Sequence, residues 1–258
     1  MREAFNRQLT EMRQELVSIY ANIDLALHDA VGALFEGDRA RAKAVKALTR
    51  ELDGRCARLE DQAFLLIATQ QPVASDLRLI QFVIYANFNL ARMSNHVRNI
   101  AKTARRCAGR EVPGQLLDLL AGEGHLVYRV LSSCVMAIVE EDLRKATSLP
   151  VLDEPVDELY KQFFRTLSAL GPDDDMDAAS RVVMASRMLE RISDNAVEVG
   201  ERLAYLLTGE RIALDDIADV ADEDLARLYA ARGAGLVADR QVDESLARQI
   251  PEVTIEES

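Results

Sequence analysis

The chain contains no tryptophan, and aromatic residues make up only 5% of its 258 positions. Glycine, with 12 copies, and proline, with 6, are also sparse. An all-β sandwich or barrel needs aromatic and β-branched strands joined by frequent turns, so this composition disfavours one. Cysteine occurs three times, at Cys56, Cys107 and Cys134, with no Cys-x-x-Cys pair. A disulfide framework is therefore not expected, and a reducing, cytoplasmic setting is the default. No run of about 18 apolar residues exists, so a membrane contact would have to come through a partner. The opening MREAFNRQLTEMRQ is too polar to read as a secretion signal. Basic residues are outnumbered 31 to 43, for a net charge of −12. A duplex-binding protein carries a basic face, so nucleic acid is not an expected partner.

Chemical signatures are equally scarce. There is no Gly-x-Gly-x-x-Gly or Gly-Lys-Ser/Thr phosphate loop, so no nucleotide site is evident. Ser, His and Cys form no nucleophilic pattern, and Cys134, followed by the apolar run Val135 to Val139, reads as a core residue. No Glu-x-x-His occurs, which argues against a ferritin-like di-iron enzyme. No catalytic motif is evident.

What is present is helical periodicity. Leu9, Met12, Leu16, Ile19, Ile23, Leu27, Ala30 and Leu34 recur every three or four residues, the seam of a long amphipathic helix. Breaks fall at Gly37-Asp38, Gln70-Gln71-Pro72, Gly109 to Gly114, Pro150 with Pro155, Gly171-Pro172 and Gly209. They leave six expected helices: about 3–36, 39–69, 75–108, 113–144, 146–170 and 175–208. Ser75 or Asp76 is the expected cap after Pro72, and Asp173 to Asp175 the caps after Pro172. The fold predicted is all-α, two antiparallel three-helix bundles over 1–109 and 110–210. Residues 211–258 form an acidic tail with 12 acidic and 5 basic residues. Within it DEDLARLYAARGAG is a candidate short helix, and the remainder is expected to be disordered.

A repeat supports the division into halves. LARMSNHVRNIA, from Leu90, aligns with LERISDNAVEVG, from Leu189, at a shift of 99. The seam Leu90, Met93, Val97, Ile100 falls on Leu189, Ile192, Ala196, Val199, and His96 falls on Asn195.

The second half carries two acidic pairs at i,i+4: Asp153 with Asp157, and Glu190 with Asp194. That spacing puts each pair on one helix face, about 5–6 Å apart at Cβ. The pairs are equidistant from the Gly171–Asp175 turn, so an antiparallel hairpin sets them side by side roughly 27 Å from it. Four facing carboxylates repel unless a cation neutralises them, and an all-oxygen cluster suits Mg²⁺, Ca²⁺, Mn²⁺ or iron. Two features oppose this. Arg187 and Arg191 can pair with Glu190 and Asp194 at i,i+3, and Pro155 should bend or break the helix between Asp153 and Asp157. In the first half, the equivalent positions are Thr49, Asp53, Ala91 and Asn95, where only Asp53 keeps a carboxylate. RNIAKTARR, Arg98 to Arg106, is most simply a basic helix end complementing the dipole, with an acidic partner or anionic lipid as the alternative.

Three strings in order resemble the PhoU family of phosphate-signalling regulators. They are QQPVASDLR at Gln70–Arg78, DEPVDELYKQFF at Asp153–Phe164 and LERISDNAVEVGE at Leu189–Glu201. The resemblance covers about residues 1–210. It implies two pseudo-symmetric three-helix bundles, each with acidic pairs on adjacent helices that bind divalent or ferric metal: iron, Mn, Mg or Zn. It implies a negative regulator of phosphate uptake and of the phosphate-starvation response, not an enzyme, and a homodimer. The implied partners are the ATPase subunit of the phosphate ABC transporter and a membrane sensor histidine kinase. The metal motifs fall on Asp153, Asp157, Glu190 and Asp194. The first-half positions Thr49, Asp53, Ala91 and Asn95 depart from the pattern, so at most one competent cluster is expected. His96 stands where the family often has histidine, and is a candidate ligand or a packing residue. The competing expectations are a carboxylate-bridged metalloenzyme, which would need histidines near the cluster, and a metal-free dimerisation scaffold.

Overall fold

A computed structural model describes residues 2–210 of the chain; the expectations for the acidic tail lie outside the described residues. Those residues form six long helices and one short one: α1 (Arg2–Glu36), α2 (Arg39–Gln70), α3 (Ala74–Cys107), α4 (Gly114–Glu140), α5 (Leu143–Thr147), α6 (Leu149–Ser168) and α7 (Met176–Thr208). The seam foreseen in α1 is the core: Leu16, Ile19, Ile23, Leu27 and Ala30 are fully buried. The repeat is structural as well. Leu90, Met93, Val97 and Ile100 of α3 and Leu189, Ile192, Ala196 and Val199 of α7 are all buried to the last atom.

Helices α1, α2 and α3 pack on one another, and α4, α6 and α7 do the same. The two triplets meet chiefly through α3 and α7. These run antiparallel: His96 touches Met188 near the middle, and Arg202 lies over the Tyr85 ring at 4.1 Å. A second junction joins α1 to α4, where the Tyr20 hydroxyl donates to Cys134 Sγ at 3.1 Å. The three cysteines are free and buried.

Local chemistry sets the helix ends. Asp38 caps α2 by accepting from Ala40 N and Arg41 N. Asp175 caps α7 by accepting from Ala178 N, and Gly209 closes it at φ +78°, a conformation glycine adopts without steric cost. Arg105 and Arg106 fill the last turn of α3, where positive charge complements the dipole.

Three expectations are corrected. First, neither Ser75 nor Asp76 caps α3. The helix starts earlier, at Ala74, after a turn in which Gln71 and Ala74 take left-handed φ, and Val73 stands at the cap position with no side-chain bond. Second, the helix expected over 113–144 stops at Glu140, and a short extra helix straddles the expected boundary before the helix over 146–170. Glu141 ends α4 in the left-handed region, Asp142 caps the short α5, and α6 then starts at Leu149. Third, Pro155 does not break α6. Its ring sits on the exposed side, and the acceptor it deprives of a partner belongs to exposed Val151, where water can substitute. The register between Asp153 and Asp157 is therefore kept.

One close approach fixes how α7 lies on α5 and α6. A Cβ on Gly200 would stand 2.5 Å from Leu149 Cδ1 and 2.9 Å from the Ala146 carbonyl oxygen. Only glycine lets the backbones come that near.

Candidate metal centre

Helix α6 presents Asp153 and Asp157, and α7 presents Asp194 against them. One carboxylate oxygen from each lies within 4.8 Å of the others. The three border an open cleft of about 410 Å³. Its remaining charged lining is Glu154, Glu198 and Glu201, so every charged group on its wall is acidic.

Burial and mutual repulsion raise the affinity of Asp153 and Asp194 for protons. Desolvation, with Asp157 and Asp194 nearby, pushes Asp153 up to about 6, tempered by the Ser193 hydroxyl. Asp194 is also raised, by burial first, while Arg191 acts against the rise. Asp153 Oδ1 is buried and accepts no hydrogen bond. An orphaned buried oxygen beside two further carboxylates fits a hard cation, which would supply the missing partner. The set offers oxygen only, which suits Mg²⁺, Mn²⁺, Ca²⁺ or ferric iron better than zinc with its preference for N and S donors.

Glu190 stands apart from this trio. It is only 7% exposed. Arg187 donates to its Oε1, and Arg191 Nε lies 3.6 Å from Oε2. Arg187 is itself set over the Tyr160 ring at 5.1 Å. Desolvation first, then Asp194, pushes Glu190 up to about 7 despite both arginines. The pairing of Arg191 with Asp194 is also made, at 3.2 Å. The sequence thus brings all four carboxylates to one hairpin, but three converge and the fourth faces arginine.

The first-half positions lie as the repeat places them. Thr49 is fully buried, Asp53 is half-buried and Asn95 is exposed. A residue not foreseen occupies the gap. Arg98 donates from Nε to Thr49 Oγ1 at 3.1 Å and from a terminal nitrogen to the Thr49 carbonyl at 2.9 Å, and it pairs with Asp53. Ser94 Oγ completes the knot, 3.2 Å from the Thr49 carbonyl and 3.3 Å from Asp53 Oδ1. The alignment at shift 99 sets Arg98 opposite Val197, and that contrast was the available signal.

His96 is not part of the cluster. Its Nδ1 lies 3.3 Å from Met188 Sδ between α3 and α7. Burial, then the charges of Arg92 and Arg191, hold it down at about 4, so it is neutral at pH 7. A second unforeseen group is Glu123 of α4. It is fully buried, neither oxygen has a hydrogen-bond partner, and it faces Ser186 and Glu190 of α7.

Comparison with known proteins agrees with this architecture. The model of the PhoU domain family matches residues 8–104 and again 120–203. "Phosphate-specific transport system accessory protein PhoU homolog 1" of Mycobacterium leprae is 31% identical over 210 residues, covering 81% of this chain and 95% of that one. Homolog 2 of Mycobacterium tuberculosis is 30% identical, covering 81% and 99%. The crystal structure of PhoU from Pseudomonas aeruginosa superposes with a TM-score of 0.73 at 26% identity, over 80% of this chain and 100% of that one. Matched over most of its helical body by the family model and by relatives of the same length as that body, the chain belongs to the PhoU family.

Proposed function

We propose that the protein regulates phosphate uptake and represses the phosphate-starvation response, acting by contact rather than catalysis. The observation that carries this is the PhoU-domain match over both halves, together with relatives named as accessory proteins of the phosphate-specific transport system. The proposed partners are the ATPase subunit of the phosphate ABC transporter and a membrane sensor histidine kinase, with a second copy of the chain as a homodimer partner. A cytoplasmic location fits, since no described helix is long and apolar enough to cross a membrane.

The proposed contribution of the site is electrostatic. Asp153, Asp157 and Asp194 hold a hard cation in the acidic cleft, and Glu190 can join them by releasing Arg187. A bound cation cancels repulsion across the α6–α7 pair, stiffening that face and changing the charge it offers a partner. Deleting the gene should raise transcription of phosphate-starvation genes in phosphate-rich medium. Unchanged transcription there would contradict the regulatory role.

A further inference from the structure

The two halves of the chain solve one electrostatic problem in different ways. In the second half, three aspartates at repeat-equivalent positions leave an acidic cleft. In the first half, the same positions hold Thr49, Asp53 and Asn95, and the guanidinium of Arg98 bonds to the first two of them. We infer that Arg98 is a built-in cation that closes a latent divalent-metal site between α2 and α3, and so keeps metal out of the first half.

The geometry supports a substitute for a metal rather than a surface ion pair. The Arg98 side chain is only 17% exposed. Its donors reach a hydroxyl, a backbone carbonyl and a carboxylate on the neighbouring helix, an all-oxygen set of the kind a hard cation takes. The Ser94 hydroxyl braces two of those acceptors, and its counterpart in the repeat is Ser193, beside Asp153. Position 197, opposite Arg98, is valine and lines the acidic cleft. A covalently attached cation costs no ion-binding equilibrium, is present at every metal concentration, and repels a second cation at close range. The inference rests on the repeat and on the contacts of Arg98, and does not depend on the regulatory role or on the second half being loaded.

The test uses full-length chain with Asp153→Asn/Asp157→Asn/Asp194→Asn, so that only the first half can respond. Mn²⁺ is the probe, and binding by calorimetry and the thermal midpoint are the readouts. That parent should not bind, and neither should a derivative with Thr49→Asp/Asn95→Asp and Arg98 intact. Adding Arg98→Val to the derivative should open the site. At Mn²⁺ 100-fold above the dissociation constant, the midpoint should then rise by roughly 5 °C or more. Binding while Arg98 is present, or none after its removal in a folded protein, overturns the inference. If the rebuilt chain does not fold, a double-mutant cycle decides. Arg98→Met and Asp53→Asn should each lower the midpoint by roughly 5 °C, and together by little more than either alone. Additive losses would make Arg98 a packing residue and overturn it equally.

Discussion

Glu123 offers the sharpest physical prediction. It lies on α4 facing α7, fully buried, with both oxygens lacking hydrogen-bond partners. Desolvation pushes its pKa up to about 9 from the ordinary 4.5, against the opposing pull of Ser186, and Glu190 nearby adds to the rise. The folded chain therefore holds a proton that the unfolded chain releases. Native stability from this group is intact below about pH 4.5 and declines as pH rises toward 9, at about 1.4 kcal/mol per pH unit. At pH 7 the accumulated cost is about 3 kcal/mol. Glu123→Gln removes the titration. The amide still lacks partners, so the two proteins should be similar near pH 5, with the variant if anything slightly weaker. By pH 8 the variant should be the more stable by about 3 kcal/mol or more. Urea unfolding at unit pH steps from 5 to 8 measures this, with metal removed by chelation. Parallel stability curves for the two proteins would refute the buried, protonated carboxyl.

Other predictions follow from single contacts. Gly200→Ala forces a methyl against the Ala146 carbonyl oxygen and Leu149, and should cost about 1–3 kcal/mol in denaturant unfolding; a neutral result would mean that α5 and α6 are free to withdraw from α7. Metal uptake must displace the proton on Asp153, whose pKa is about 6, so affinity should climb between pH 5 and 7 with proton release, seen by calorimetry in two buffers of different ionisation enthalpy; pH-independent affinity would exclude Asp153 as a ligand. Arg187→Ala frees Glu190 from its guanidinium and should tighten metal binding if Glu190 is the reserve ligand; unchanged affinity would remove Glu190 from the set.

Much of this molecule was legible before its structure. The spacing from Leu9 to Leu34 identified the buried face of α1, and the shift of 99 between α3 and α7 survives as two equally buried seams. Equal distance from the Gly171–Asp175 turn brought Asp153, Asp157 and Asp194 together because hairpin arithmetic depends only on helical rise. The same arithmetic cannot choose a rotamer. Arg187 lies one turn before Glu190 and captures it, a competition spacing identified without deciding. Pro155 misled because the penalty for an interior proline depends on where its ring and orphaned acceptor face, and here both sit on exposed residues. Arg98 was hidden inside RNIAKTARR, whose Arg105 and Arg106 do serve the helix end. Glu123 had no signal, since a lone glutamate between two glycines looks like any exposed acid until α7 covers it.

The central structural claim is a hard cation held on one side by three aspartates. The most direct test is the metal content and Mn²⁺ stoichiometry of the chelated and reloaded full-length protein, compared with Asp157→Asn/Asp194→Asn. The account predicts Mn²⁺ binding by the native chain that disappears in the double variant while the helical spectrum is unchanged. Equal metal content in both proteins, or none in the native chain at millimolar Mn²⁺, would contradict it.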